Sequence, residues 1–454
     1  MNVNEIKAEY EQNNPLSKKA WETSRQSIPG GVSGNVRFYS PFPLFMKKGK
    51  GAWLRDLDNH DYVDYVLSYG PLILGHGREE IIHLFNQYIT EHGTFLYGTP
   101  HEDEIGFAEM LKKYYPSLEA VRYTNSGTEA TLLAIRTARA YTGKRKVGKF
   151  EGHYHGGFDE VLISVKSPIE QAGNISRPNS IPESAGISEQ TLEETIVLPF
   201  NDLDSCIKIL EENKNEIACI IMEPFLGGTI CATDEFMKGI RKVTSELGIL
   251  FIMDEVKTGF RVGIGGAQEY YNVKPDLTTL GKIIGAGFPI GVLGGRREIL
   301  ENMAPTGSEK QKIGEQKRTG TDVIYHSGTY NGHPLILALG METIRILENE
   351  MEDLVANTEY LKREIQESYK KHGVKVLTPG VGAAFNICVT EQDEILTYRE
   401  LKKCDFDLRR RMDYALMLEG VYCKPCTRYY TSTAHTMKEI DYTLDKYEKA
   451  WKKI

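Results

Sequence analysis

The chain has 454 residues and a formal net charge of −8, a length that suggests two or three domains with ample buried core. Its acidic balance gives no basic footprint for nucleic acid, and no apolar stretch reaches the roughly 18 residues a membrane-spanning helix needs. Residues 1–14 are polar with no secretory hydrophobic region, so a cytoplasmic setting is expected, and the seven scattered cysteines are expected as reduced thiols.

In chain order, Thr124-Asn125-Ser126-Gly127-Thr128-Glu129-Ala130 opens a helical pattern through Ala140, with Leu132, Leu133, Ile135 and Ala138 on its apolar face. Ser126, Gly127 and Thr128 offer backbone N–H groups, two hydroxyls and the positive end of a helix to a dianion such as phosphate. The same residues also suit a plain N-cap. A strand-like run at 146–150 leads into Gly152-His153-Tyr154-His155-Gly156-Gly157, where Tyr154 suits either a flat contact with a cofactor ring or ordinary packing. Further strands are predicted at 160–165, 195–199, 217–222, 249–253 and 290–293, with helices at 203–212 and 234–247 between them. This alternation predicts a mostly parallel sheet covered by helices on both faces. Residues 167–191 and the Lys, Glu, Gln and Gly-rich 306–321 are predicted as long loops. Helical patterns at 335–350 and 351–372 precede short strands around 374–377 and 384–389. The expected division is an N-terminal segment 1–80 contributing to a small domain, a large domain 81–334, and the C-terminal small domain 335–454.

Lys282 stands in Leu280-Gly281-Lys282-Ile283-Ile284-Gly285. Glycines and aliphatics disfavour its ammonium form, and a neutral lysine can condense with an aldehyde cofactor such as pyridoxal 5'-phosphate. The aliphatic run 249–253 ends in Asp254-Glu255-Val256, a buried strand delivering a carboxylate to the edge where parallel sheets bind ligands. Asp254 there either caps a helix or keeps a pyridine nitrogen protonated, which makes the ring an electron sink. Strand alternation puts Val256 on the face of Asp254 and Lys257 on the other, so Lys257 is the weaker Schiff-base candidate. Cys423-Lys424-Pro425-Cys426 has no second Cys pair or His cluster to complete a zinc site.

These pieces stand in family order with Gly30-Gly31-Val32, Val36-Arg37, Glu223-Pro224, Thr258-Gly259-Phe260-Arg261 and Ser327-Gly328-Thr329 with Asn331-Gly332. The chain thus resembles the class III aminotransferases, pyridoxal-phosphate enzymes of fold type I, and among them the glutamate-1-semialdehyde 2,1-aminomutases and related β-amino acid transaminases. The resemblance implies an α/β large domain with a mostly parallel sheet covered by helices, plus a smaller α+β domain. It implies that Lys282 forms the Schiff base with pyridoxal 5'-phosphate and then moves the proton between substrate and cofactor carbons. Asp254 would pair with the pyridine nitrogen, Val256 would pack behind the ring and Tyr154 in front, with Glu223 also in the cofactor site. Ser126, Gly127 and Thr128 would hold the phosphate, joined by Thr329 of the partner subunit in a homodimer with shared active sites. Arg37 matches the carboxylate-binding arginine. No metal is implied, and residues 167–191 match a mobile gate of the aminomutase.

Three departures bear on the reaction. Gly228 replaces an asparagine of the aminomutase pattern and Tyr69 replaces a tryptophan. Where the aminomutase has a glutamate in a Pro-Ser-x-x-Glu-Ala segment, this chain reads Pro425-Cys426-Thr427-Arg428-Tyr429-Tyr430. The acid is gone and Arg428 stands next to its position. Two arginines, Arg37 and Arg428, suit two carboxylates. The expected reaction is therefore amino transfer between a β- or ω-amino acid and a keto acid. The alternative is the intramolecular shift of glutamate-1-semialdehyde to 5-aminolevulinate.

Overall fold

The computed structural model describes residues 1–304 and 323–454; the expected loop 306–321 lies outside the described residues. The chain forms two compact units. One comprises Leu84–Glu348 with Leu396–Lys402, and the other Met1–His83, Asn349–Ile395 and Lys403–Ile454.

The first unit is built on seven strands: β1 (Ala120–Thr124), β2 (Lys146–Phe150), β3 (Thr195–Leu198), β4 (Ile217–Met222), β5 (Leu250–Asp254), β6 (Leu277–Gly281) and β7 (Gly291–Gly295). Their spatial order is β1-β7-β6-β5-β4-β2-β3. All run parallel except β7, which is antiparallel to both neighbours. β4 and β5 are buried along their whole length, as their unbroken aliphatic runs require of strands covered on both faces. On one face, helix α1 (Gly127–Thr142) sets Leu133, Ala134, Ile135 and Ala138 against Cys219, Ile221, Ile252, Leu277 and Leu293. Each fully buried large aliphatic side chain there contributes about 1.5–3 kcal/mol. On the other face, α2 (Leu203–Asn213) precedes α3 (Asp234–Leu247). α3 turns Phe236 against Phe150 and Phe200 at ring-centroid distances of 5.7 and 5.5 Å. Helices over a mostly parallel sheet are the large-domain architecture that the resemblance implies.

The second unit has a four-stranded sheet in the order Met46–Lys50, Trp53–Asp56, Asp61–Asp64 and Val421–Tyr422. Its core joins Tyr10, Phe42, Tyr65, Tyr369, Phe385, Tyr429 and Tyr447. A buried pair, Arg409 and Asp413 (Nε to Oδ2 2.8 Å), shapes the segment that follows. Arg409 donates to the Thr427 carbonyl at 3.0 Å and Asp413 accepts from the Cys426 N–H at 2.7 Å. Cys423 and Cys426 are free thiols; the Cys423 thiol donates to the Asp413 carbonyl at 3.5 Å, and burial pushes Cys426 up to about 11.

Several sequence expectations are corrected. Residues 160–165 do not form a strand. Val161 and Ile163 are buried as an alternating strand would bury them, but the backbone finds partners in turns. The Leu162 N–H bonds Phe158, the Ser164 N–H bonds Ile181, and Ile163 makes a single bridge to Pro182. The patterns at 335–350 and 351–372 are one helix, α4 (Pro334–Lys371). The strand expected over 384–389 is two short strands with different partners. β1 and β6 were not expected. Within 167–191 a small hairpin (Gly173–Asn174 with Arg177–Pro178) and a helix from Glu189 interrupt the loop. Arg399 holds its first part, pairing with Glu151 (2.9 and 3.0 Å) and donating to the carbonyls of Ala172 and Gly173. Among the described residues no helix is long and apolar enough to cross a membrane, and no cluster of three or more His, Cys, Asp or Glu suits a metal ion.

Glycines bring the start of α1 to the ends of β5, β6 and β7. A side chain at Gly291 would collide with the Ser126 carbonyl and the Thr124 hydroxyl. Gly291→Ala is therefore expected to cost about 1–3 kcal/mol, read as a lower midpoint of urea unfolding; an unchanged midpoint contradicts this packing.

Candidate active site

The C-terminal ends of β5 and β6 and the N-terminus of α1 gather the candidate residues within one unit. β5 ends in Asp254, which is 4% exposed. An isolated carboxylate at such a place would take up a proton rather than stay charged. Here Asp254 Oδ2 accepts from His155 Nδ1 at 2.7 Å, and Oδ1 accepts from the Val256 N–H at 3.0 Å and the Thr279 hydroxyl at 3.1 Å. Burial alone pushes Asp254 up, but the His155 bond, with the Val256 N–H and nearby Lys257, carries it below the usual carboxylate range. The result is a buried anion.

Glu255 points away from Asp254, as strand alternation requires. It accepts from the N–H groups of Ala267 and Gln268 and from the Thr258 hydroxyl. Those bonds fasten the Gly266–Tyr271 helix and give Glu255 a structural role.

Lys282 lies beyond the end of β6, at a backbone φ of 51°, and is half-buried. Its ammonium has no hydrogen bond or ion pair with the described residues. Burial first, and the neighbouring Lys257 charge second, push Lys282 down to about 7. Two groups in one site are thus driven in useful directions, an acid kept charged and an amine driven toward its neutral form.

α1 begins at Gly127 with Ser126 as its N-cap, and the Ser126 hydroxyl accepts the Glu129 N–H at 3.1 Å. The N–H groups of the first turn have no intrahelical partner, so those of Gly127 and Thr128 are available to an anion. Gly127 is needed for the approach, since a Cβ there would stand 2.6 Å from Val256 Cγ1. Gly156, at φ +122°, abuts Thr128 in the same way. The Thr131 hydroxyl bonds the His155 carbonyl at 2.5 Å, tying the helix to the turn that carries Tyr154.

Tyr154 is exposed at 43%, and its N–H donates to Glu223 Oε2 at 2.9 Å. Glu223 also receives the Lys257 ammonium. Burial works against its charge, and Lys257 holds it below the usual range. His153, kept neutral by burial, accepts the Glu223 N–H through Nδ1 at 3.0 Å. These arrangements suit pyridoxal 5'-phosphate: a buried anion for the ring nitrogen, a neutral amine for the aldehyde, open N–H groups for the phosphate, and Tyr154 and Val256 for the two ring faces.

The structure therefore brings together Lys282, Asp254, Val256, Tyr154, Glu223, Ser126, Gly127 and Thr128. Thr329 lies in an exposed turn after β7. Arg37 and Arg428 belong to the other unit, where Arg37 is exposed on a short turn and Arg428 is half-buried. The Val36 carbonyl accepts both the Tyr69 hydroxyl (2.6 Å) and the Lys424 ammonium, which sets the Arg37 turn beside the segment leading to Arg428. Sequence reasoning gave no role to His155, His153 or Thr279. Two histidines alternating around Tyr154 were the one available signal.

A neutral amine should react as one. In cofactor-free protein, acylation of Lys282 followed by mass spectrometry is expected to rise with a half-point near pH 7. A half-point near the ordinary lysine value of about 10.4 contradicts the electrostatics described.

The class III aminotransferase profile matches residues 36–450. The glutamate-1-semialdehyde 2,1-aminomutase of Thermodesulfovibrio yellowstonii is 40% identical over 96% of this chain and 99% of its own. Among solved structures, an omega-transaminase from Sphaerobacter thermophilus superposes with a TM-score of 0.89 at 32% identity, covering 96% of this chain and 97% of that one. A beta-phenylalanine aminotransferase from Variovorax paradoxus gives 0.83 at 28%, covering 98% and 95%. With a matching profile over most of its length and a site suited to the cofactor, the chain belongs to the class III aminotransferases, pyridoxal-phosphate-dependent enzymes of fold type I.

Proposed function

We propose that this enzyme moves an amino group between a β- or ω-amino acid and a keto acid. The observation that carries the reading is Arg428, which stands beside the place where the aminomutase pattern has a glutamate. An intramolecular shift retains its substrate and re-adds nitrogen at the adjacent carbon. Transfer between molecules releases a keto product and admits a second carboxylate, a task for which Arg37 and Arg428 supply two planar forks. The likeness to the two transaminase structures supports this reading.

When bound, pyridoxal 5'-phosphate supplies an aldehyde and an electron-withdrawing ring that make a substrate carbon acidic. Asp254 would supply the buried anion that keeps the ring nitrogen protonated. The Gly127 and Thr128 N–H groups and the Ser126 and Thr128 hydroxyls would hold the phosphate, joined by Thr329 of the partner subunit if the enzyme is a homodimer with shared sites. Val256 and Tyr154 would pack on the ring's two faces, and Glu223 fixes the turn bearing Tyr154. Lys282 Nζ, pushed down to about 7 and so with a large unprotonated share near neutral pH, would take a proton from one carbon and return it to another.

A second reading has specific support. The 40% identity to a named aminomutase exceeds the identity to either transaminase structure, which favours the shift of glutamate-1-semialdehyde to 5-aminolevulinate. One assay separates the two. Cofactor-loaded enzyme receives glutamate-1-semialdehyde without acceptor and, separately, β- and ω-amino acids with and without 2-oxoglutarate or pyruvate. Acceptor-dependent amino transfer is expected; conversion of the semialdehyde without acceptor contradicts the proposal and establishes the second reading. Arg428→Ala is expected to lower kcat/KM for amino transfer by about 10- to 100-fold, the value of one charged hydrogen bond.

A further inference from the structure

Lys257, whose charge bears on Glu223, Asp254 and Lys282, has no part in the steps assigned so far. β5 and β6 pair in parallel with Asp254 opposite Thr279, so Lys257 and Lys282 each stand three residues beyond that paired position. The Lys257 ammonium is paired with Glu223 Oε1, with side-chain exposures of 12% and 3%. The other Glu223 oxygen accepts the Tyr154 N–H, and Lys257 Nζ lies 5.4 Å from the centroid of the Tyr154 ring. An apolar contact would fasten this turn without removing two charges from water. What the pair adds is a field beside Lys282.

We propose that Lys257 is a positioning residue of the active site, whose ammonium, fixed by Glu223 beside Tyr154, sets the proton affinity of the Lys282 nitrogen. The inference rests on the reading that Lys282 carries the cofactor. The charges facing Lys282 are Lys257 and Arg261, which oppose its protonation, and Asp254 and Glu223, which favour it. Asp254 and Glu223 are in turn faced by His155 and His153. Removing the Lys257 charge takes away a repulsion and leaves Glu223 unpaired, and both changes favour the protonated Lys282 nitrogen. Removing the Glu223 charge works in the opposite direction.

The test is a pH titration of the visible absorbance of the loaded enzyme, which reads protonation at the lysine–cofactor linkage rather than turnover. Lys257→Met is expected to raise the midpoint by about one pH unit or more, Glu223→Gln to lower it, and Lys257→Arg to leave it near wild type. A role confined to packing predicts no shift in any of them, and an unmoved midpoint in coloured Lys257→Met overturns the proposal. If Lys257→Met does not hold cofactor, the Glu223→Gln and Lys257→Arg titrations decide: a lowered midpoint in the first with none in the second supports it, and an unmoved Glu223→Gln midpoint overturns it. Lys282→Ala is the separate control. A wild-type-like titration in that variant overturns the assignment of Lys282 and this inference with it.

Discussion

The site depends on a charge kept where burial would remove it. Asp254 stands at the end of a strand covered on both faces, and without donors its carboxylate would be protonated. His155, the Val256 N–H and Thr279 hold it as an anion. One strand away the same burial meets an amine with no hydrogen-bond partner among the described residues and drives it toward the neutral form. A single environment thus yields opposite outcomes, and the hydrogen-bond partners decide which group keeps its charge.

That electrostatic arrangement needs close backbone approach. Gly127 meets Val256, Gly281 lies against both of them, and Gly291 lies against the Ser126 carbonyl. Together they seat the open end of α1 next to the ends of β5, β6 and β7. The antiparallel β7 supplies one of these contacts, so the strand that breaks the parallel pattern also helps place the anion-binding helix end.

The parts of the site legible in the sequence were those written in one local stretch. The aliphatic run ending at Asp254 marked a buried strand, the glycine-flanked Lys282 marked a desolvated amine, and Ser126-Gly127-Thr128 marked a helix start. Partnerships across the fold were not legible. His155 and Asp254 are 99 residues apart, and Lys257 and Glu223 are 34 apart; nothing in either local pattern states the pairing. β1 escaped notice because its residues are mostly half-buried and mix Arg122 and Tyr123 with aliphatics. Residues 160–165 showed the reverse failure, because a short aliphatic run is buried in a turn-rich segment as readily as in a strand. Tyr398 and Arg399, late in the chain, belong to the same unit as Glu151 and the loop they hold, a placement set by topology.

The most direct measurement is to reduce the pyridoxal-phosphate-loaded enzyme with borohydride, digest it and locate the phosphopyridoxyl group by peptide mass mapping. The account predicts the label on Lys282. Label on Lys257, or on no lysine, would contradict it.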